Sequence, residues 1–334
     1  MFKKLAVFTD IHFGLKTNSK IHNNDCEEFI DWYIEQAKKH NCETGMFCGD
    51  WHHNRNSLNL TTMDASIRSL EKLGKAFENF YFFPGNHDLY FKDKRDIHSV
   101  EFGKFIPGVT IVNEITTMGD VTMVPWMVGN EWKKVCKIKA KYMFGHFELP
   151  HFLMNAMIEM PVAGELKATH FTNQEYVFSG HFHKRQVKNN VHYIGNTMPH
   201  NYADVDDDER GMMILEWGKE PTYLNWWNCP RYKNIKLSEL LDKTKEIMKP
   251  KMHLRVTLDV DISYEEASFI KENFMKEYHC REIILIPSKK EEEIQTDLDV
   301  TKFESVDQIV SKEIEAIDSD NYDKQVLLSI YRDL

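Results

Sequence analysis

The stretch LAVFTDIH, residues 5–12, determines the predicted fold. Residues 5–9 form an apolar run that is typical of a short buried strand. The run ends directly in two side chains that can bind a metal or carry a proton, Asp10 and His12. Four later stretches of the chain repeat this order, an apolar run followed by a polar cluster. The repetition indicates that the clusters share one edge of the fold.

Five polar clusters follow predicted strands between residues 10 and 183. In this part, short β-rich runs alternate with helical patterns at 26–39 and 60–77, and this alternation predicts an α/β sandwich. Ligand groups in open α/β sheets meet at the carboxyl ends of the strands, so we expect the clusters to converge. The clusters are Asp10-Ile11-His12, Gly49-Asp50 with His53, Gly85-Asn86-His87-Asp88, Gly145-His146 and Gly180-His181-Phe182-His183.

The side chains of the clusters form a set of metal ligands with two carboxylates, one amide oxygen and four imidazoles. Such a mixed set suits manganese, iron or zinc better than calcium or magnesium. Seven ligands exceed the needs of one tetrahedral zinc and suit two ions about 3.5–4 Å apart that share a carboxylate. Two dications and two aspartates leave a positive site, which indicates an anionic phosphoester substrate. The seven residues are Asp10, His12, Asp50, Asn86, His146, His181 and His183.

Composition limits the class of protein without deciding its partner. The 334 residues predict about two domains. The net charge is -10, but residues 289–334 alone carry six basic and thirteen acidic groups. The rest of the chain is therefore close to neutral. This charge distribution neither requires nor excludes binding to nucleic acid. The six cysteines show no CxxC spacing, which favours a reducing cytoplasm without disulfides. No apolar run approaches the ~20 residues of a membrane span.

The pattern changes after residue 230. Residues 231–288 alternate short strands and helices and predict a compact α+β unit. A charged run then leads to two amphipathic patterns at 303–317 and 322–334, which predict helices that need a partner surface. Lysines at 133, 134, 137, 139 and 141 could form a stripe that faces DNA, although a solvated surface explains them as well.

The clusters resemble the motifs of the calcineurin-like metallophosphoesterases. DIHFG, GDWHH, GNHDL and GHFH resemble more narrowly the SbcD-type nucleases, which work with an SbcC-type ATPase in recombination and double-strand-break repair. PWM at 125–127 and YIGNT at 193–197 are similar to the tailed-phage form. The resemblance implies a four-layer α/β/β/α sandwich over residues 1–230. It also implies a DNA-capping domain at 231–288 and a C-terminal helical segment at 289–334 that binds the ATPase.

The resemblance also implies roles for the site residues. One manganese would be held by Asp10, His12, Asp50 and His183, and the other by Asp50, Asn86, His146 and His181, with Asp50 shared. Magnesium, iron or zinc are alternative metals. His87 would be the catalytic histidine that binds no metal, and Asp88 would fix its tautomer. His53 matches a position where some members carry histidine and others, notably bacterial and phage ones, carry aspartate, and it is a further catalytic candidate.

The implied activity is manganese-dependent 3′ to 5′ exonucleolytic cleavage of duplex DNA and endonucleolytic cleavage of single strands. The implied assembly is a homodimer within a heterotetramer with the ATPase, in the host cytoplasm if the chain is phage-encoded. A phosphatase or a small-molecule phosphodiesterase on the same core is an alternative. The Asp-Arg-Gly motif of protein phosphatases is replaced here by His52-His53-Asn54-Arg55, which disfavours a phosphatase. A scaffold without catalysis is a third possibility, although no ligand is missing.

Overall fold

The computed structural model describes residues 2–155, 158–162, 164–287 and 324. The chain divides into two units, Met1–Ser288 and Lys289–Leu334. The predicted helices at 303–317 and 322–334 therefore lie outside the described residues, apart from Lys324. In the described part of the chain, no helix has the length and apolar character needed to cross a membrane. The six cysteines are free in the structure.

The described elements alternate between strands and helices up to residue 82, and mostly strands follow from there to residue 236. The strands are β1 (Lys4–Phe8), β2 (Thr44–Phe47), β3 (Asn79–Phe82), β4 (Val109–Ile111), β5 (Thr116–Met118), β6 (Val121–Val124), β7 (Tyr142–His146), β8 (Tyr176–Gly180), β9 (Gln186–Lys188), β10 (Val191–Tyr193), β11 (Gly211–Glu216), β12 (Thr222–Asn225), β13 (Arg231–Lys236), β14 (Met252–Leu258) and β15 (Glu282–Pro287). The helices are α1 (Leu15–Asn18), α2 (Lys20–Lys39), α3 (Leu60–Ala76), α4 (Trp132–Val135), α5 (Leu237–Asp242), α6 (Thr244–Ile247) and α7 (Tyr264–Tyr278).

Two six-stranded sheets form the centre of the fold. The first has the order β12-β11-β1-β2-β3-β4 and the second the order β5-β6-β7-β8-β10-β9. β1 to β4 are parallel to one another, as are β6, β7 and β8. Because parallel strands place their carboxyl ends at one edge, the clusters that follow β1, β2, β3, β7 and β8 are brought to a common side of the sheets.

Apolar side chains from both sheets pack against each other. Leu5, Val7 and Met46 of the first sheet share a fully buried cluster with Phe144 and Phe178 of the second. This layer contains mostly aliphatic and aromatic groups, so its burial provides the main hydrophobic stabilisation between the sheets. It also fixes the position of one set of strand ends relative to the other.

The outer faces of the two sheets are covered differently. On the first sheet, Phe29 and Tyr33 of α2 and Leu70 of α3 pack against Phe8 and Phe47. The second sheet is covered by the short helix α4 and by irregular chain. The predicted four-layer α/β/β/α sandwich is thus confirmed, with an outer layer on the second sheet that is mainly loop.

A third sheet, β13-β14-β15, follows the sandwich, and its three strands are parallel. It has its own apolar core. Arg281 binds the buried carboxylate of Asp25 through both guanidinium Nη atoms, at 2.5 and 2.6 Å. The hydroxyl of Tyr232 donates to the carbonyl of His200 at 2.9 Å. The third sheet is therefore attached to chain segments that border the polar clusters.

The strand predicted at 5–9 and the helix predicted at 60–77 agree with β1 and α3 to within one residue, but α2 begins at Lys20 rather than at residue 26. The hydroxyl of Ser19 caps the helix by accepting from the backbone N–H of His22. The additional turns carry polar side chains that are nonetheless buried, among them Asn23 and Asp25. A pattern of apolar residues could not reveal these turns, because their burial depends on polar contacts.

Candidate metal centre

The structure brings the strand-end clusters together in one buried site. Asp10, His12 and Asp50 offer ligand atoms that all lie within 4.8 Å of one another, and so do Asp50, His146 and His181. Several of these residues adopt left-handed backbone conformations, with φ 53° at Asp10, 52° at His12, 63° at Asp50 and 84° at His181. Non-glycine residues adopt such angles at a cost in free energy, and these outliers cluster at functional sites.

Glycines allow the loops to approach each other closely. A Cβ added to Gly85 would lie 2.2 Å from Oδ1 of Asp50, and one added to Gly49 would lie 2.4 Å from Nδ1 of His146. Gly49 also has a φ of +98°. The Gly-Asp and Gly-Asn pairs of the sequence are therefore explained by close contact with the neighbouring ligand side chains.

The amide of Asn86 lies at the centre of one half of the site. Its Oδ1 is 3.1 Å from Nε2 of His146 and 2.9 Å from Nδ1 of His181. Nε2 of His146 is also 3.3 Å from the carboxylate of Asp50. These four residues are the set that the sequence assigns to one of the two metals, and the structure brings them together.

The second ring nitrogens of these histidines are held away from the centre. Nδ1–H of His146 donates to the carbonyl of Cys48 at 2.7 Å, and Nε2–H of His181 donates to the carboxylate of Glu148 at 3.2 Å. With this N–H bound, each imidazole can present the lone pair of its other nitrogen to the centre once a cation displaces any proton held there. This arrangement is typical of metal-binding histidines, whose other N–H is bound by a carbonyl or a carboxylate.

The other half of the site is built around His12. Its Nε2 lies 3.9 Å from Asp10 and 3.7 Å from Asp50. This nitrogen is buried and has no hydrogen-bond partner within the described part of the chain. The ring of His183 packs edge-on against His12 at 5.3 Å between ring centroids. The carboxylate of Asp50 thus faces both halves, as the sequence predicts for a shared ligand.

His87 and His53 lie beside this second half. The backbone N–H of His87 donates to Asp50 at 2.8 Å, and its Nδ1–H donates to the carbonyl of His53 at 2.8 Å. The two rings stack with centroids 5.3 Å apart. Nδ1 of His53 is 3.4 Å from Nδ1 of His12. Both catalytic candidates are therefore next to the predicted ligands, and His87 is the one with a fixed tautomer.

The sequence predicts that Asp88 orients His87, and the structure corrects this prediction. The fully buried carboxylate of Asp88 accepts from backbone N–H groups of Asp50, Trp51, His52 and Gly85 at 2.9 to 3.2 Å. The group that fixes the tautomer of His87 is instead the carbonyl of His53. Asp88 is therefore a positioning residue that holds the loops carrying Asp50 and Asn86.

The electrostatics of the site favour the binding of cations. Burial raises the pKa of Asp10 to about 7. Burial also acts to raise the pKa of Asp50, but the nearby imidazoles, His146 first, bring it below the usual value. Although burial opposes it, Asp50 raises the pKa of His146 to about 9. Without cations the buried carboxylates thus depend on protons for compensation, and metal binding would displace these protons.

Several residues at the site carry no motif that sequence reasoning could use. His200 lies with its ring centroid 5.2 Å from that of His12, and it belongs to a set with His12 and His183 whose ligand atoms all lie within 4.8 Å of one another. Glu148 binds His181, and Nε2–H of His22 donates to the carbonyl of His12 at 3.0 Å. His200 lies in a loop after β10, so only tertiary structure shows that it reaches the site.

The two sheets and this buried cluster of Asp, Asn and His side chains define an α/β sandwich with a candidate metal centre, which is the arrangement that the resemblance to the metallophosphoesterases implies. The chain is similar to exonuclease subunit 1 of Enterobacteria phage T4, with 25% identity over 228 residues. The relative is a phage protein named as an exonuclease subunit, which agrees with the resemblance found in the motifs. The matched region covers 66% of this chain and 66% of the relative, just under two thirds of its length.

Two further comparisons add little to this result. No family model matches the chain. Among solved structures, the chain is similar to a nuclease MPE from Pseudomonas putida with 15% sequence identity and a TM-score of 0.29, over 67% of this chain and 80% of that one. A score this low carries no argument about the fold, which is defined by the sheets themselves.

Proposed function

We propose that the chain is the nuclease subunit of a DNA recombination and repair complex and that it hydrolyses phosphodiesters with two divalent cations. One observation carries the proposal. Seven oxygen and nitrogen donors from five loops converge, and the outward nitrogens of His146 and His181 are anchored by Cys48 and Glu148. The name of the phage relative, an exonuclease subunit, supports both an enzyme and a multi-subunit assembly.

The residues present fit two cations. Nε2 of His12 is a buried nitrogen without a hydrogen-bond partner in the described structure, beside two carboxylates. Asp10, His12, Asp50 and His183 would hold one ion, and Asp50, Asn86, His146 and His181 the other. The mixture of imidazole and carboxylate favours manganese, with iron, zinc and magnesium as alternatives. His200 could complete the first set.

When bound, the two cations would supply Lewis-acid activation of water and compensate the charge of the phosphodiester. The chain's own groups have separate tasks. Nδ1–H of His87 is held by the carbonyl of His53, so Nε2 is the nitrogen that can hold a proton for the departing oxygen. Asp88 fixes the loops of Asp50 and Asn86, while Glu148 orients the ring of His181.

Cleavage assays combined with metal analysis test this proposal. We expect purified protein with Mn²⁺ to degrade end-labelled duplex DNA from its 3′ ends and to cut circular single strands, with two metal ions bound per chain. Phosphopeptides and cyclic nucleotides serve as matched alternative substrates. Turnover of these compounds with intact DNA would contradict the proposal in favour of a phosphatase or a small-molecule phosphodiesterase.

We further propose that residues 231–288 act as a DNA-capping domain and that residues 289–334 dock on an SbcC-type ATPase. The proposed assembly is a homodimer within a heterotetramer in the cytoplasm, which is that of the host if the chain is phage-encoded. Removal of the chain from Glu291 onward is expected to abolish co-purification with the ATPase while leaving Mn²⁺-dependent cleavage of short substrates. Retained co-purification of the shortened chain would refute the docking assignment.

A further inference from the structure

A cavity of about 380 Å³ opens beside the candidate metal centre. It shares His146 with this centre and is lined further by Trp126, Met127, Trp132 and Leu166. We call this space the aromatic cleft. Both tryptophans line the cleft and are half-buried, and Trp132 also packs in part against the core of the second sheet. An indole ring that lines a cavity beside the candidate metal centre offers a face on which a planar aromatic ligand can stack.

The wall of the aromatic cleft is held in place by a partly buried ion pair. Arg95 binds the carboxylate of Glu131 through two nitrogens at 2.6 Å each and donates to the carbonyl of Trp126 at 2.7 Å. Glu131 also accepts from the backbone N–H of Val128 at 3.0 Å. The loop between β6 and α4 is thus formed before any ligand arrives, which reduces the entropy lost on binding.

The loop that forms this wall also contacts the candidate metal centre through Trp126. The backbone N–H of Trp126 donates to the carbonyl of Pro84 at 3.0 Å, next to the loop of Asn86. The ring of Trp126 also lies 5.1 Å from the ring of His181. A ligand in the aromatic cleft would therefore sit beside the Asn86 half of the site, where one end of a phosphodiester would lie.

Charged side chains of both signs line the aromatic cleft, and all of them are exposed. Glu148 and Glu165 would repel a phosphate placed beside them. Lys133 lies 5.5 Å from the ring centroid of Trp132 and, within the described residues, forms no ion pair with a carboxylate. The lining therefore suits a neutral ring with polar edges better than a phosphate, and Lys133 is the cation available to a flanking phosphate.

We propose that the aromatic cleft binds one unpaired nucleobase of the strand whose phosphodiester is cleaved. Trp126 and Trp132 would stack on the base, and Lys133 would contact the adjacent phosphate. Stacking depends on the π-face that every base has, so the subsite would tolerate any sequence. This inference rests on the proposed function and adds to it that the substrate nucleotide is unstacked from its neighbours.

Oligonucleotides with a single abasic position provide the test. The abasic position is moved stepwise across the cleavage point of a single-stranded substrate, and kcat and KM are measured for the full-length wild-type chain with Mn²⁺. We expect one position at which the loss of the base raises KM about tenfold with little change in kcat. Trp132→Leu, which keeps apolar volume but removes the stacking face, should raise KM for the intact substrate and abolish the additional abasic effect.

Two further variants serve as controls. Trp227 is 62% exposed and does not line the aromatic cleft, so Trp227→Leu should retain the abasic effect in full. Trp132→Phe keeps an aromatic face and should restore most of the affinity lost in Trp132→Leu. Fluorescence anisotropy of labelled single strands in EDTA measures the same differences without metals or turnover.

The outcomes separate the subsite from the proposed function. Cleavage with a uniform KM for every abasic position would overturn the subsite alone, as would an abasic penalty of the same size in Trp132→Leu. A chain that binds two metals yet cleaves no DNA would overturn the proposed function and the subsite with it. Loss of the abasic effect only in the Trp132→Leu variant supports the inference.

Discussion

Replacement of Asp50 by asparagine is expected to lower kcat/KM for DNA cleavage by at least about a thousandfold, which corresponds to roughly 4 kcal/mol of transition-state stabilisation. Asp50 is the carboxylate that faces both halves of the site, 3.7 Å from His12 and 3.3 Å from His146. The amide would keep the shape but remove the charge that two cations share. We therefore expect metal analysis to show the loss of at least one ion.

Thermal unfolding separates this effect from a failure to fold. The amide oxygen introduced by Asp50→Asn could still accept the backbone N–H of His87, so the variant should fold, with a metal-free Tm lowered by the loss of the Asp50–His146 pair. Mn²⁺ should raise the Tm of the wild type, because a ligand that binds only the native state stabilises it, and should raise that of Asp50→Asn much less. Asp64→Asn, a matched change at an exposed carboxylate of α3, should behave as wild type. An Asp50→Asn protein with two metals and full activity would contradict the shared-ligand assignment.

The parts of the site that the sequence could predict are those that follow strands. Asp10, Asp50 and Asn86 each come soon after a buried apolar run, and the parallel order of β1, β2 and β3 brings them to one edge. Strand periodicity and the position of polar residues at strand ends are local properties of the chain. The amino-acid sequence alone therefore indicates both the fold class and the convergence of the clusters.

The parts that the sequence could not predict depend on tertiary contacts. Asp88 follows His87 in the chain, and adjacency suggests a hydrogen bond that His87 makes instead with the carbonyl of His53. The carboxylate of Asp88 binds backbone N–H groups, which have no signature in the sequence. His200 reaches the site because its loop is fixed from another element, through the hydroxyl of Tyr232 on β13.

The buried first turns of α2 contact both the loop that carries His12 and the chain segment next to the third sheet. Nε2–H of His22 donates to the carbonyl of His12, and Oδ1 of Asn23 accepts from the backbone N–H of Gly14 at 2.8 Å. Further along the same helix, Asp25 binds Arg281 of the third sheet. The loop that carries His12 and the attachment of the third sheet thus depend on neighbouring residues of one helix. The proposed capping domain is accordingly connected to the proposed metal centre by a short, polar path.

Replacement of His87 by alanine is expected to lower kcat for DNA about 10²- to 10⁴-fold, as is usual when a general acid is removed, with little change in KM. The ring has its Nδ1–H committed to His53, so Nε2 is the group available for proton transfer. His87 also lies in a set with His12 and His53 whose ligand atoms are within 4.8 Å of one another, so a role as a metal ligand must be tested separately. We expect His87→Ala to retain both metal ions.

A comparison of two substrates with different leaving groups tests specifically whether His87 donates a proton. An activated diester such as bis(p-nitrophenyl) phosphate has a leaving group that departs without protonation, so its hydrolysis should depend much less on a general acid than DNA cleavage does. His87→Ala should therefore lose far less activity on this diester than on DNA, while His151→Ala, at an exposed histidine outside the site, should resemble wild type on both. Equal losses on the two substrates would contradict proton donation by His87. The loss of a metal ion would instead identify His87 as a ligand, because only a ligand role couples its ring to the occupancy of the centre.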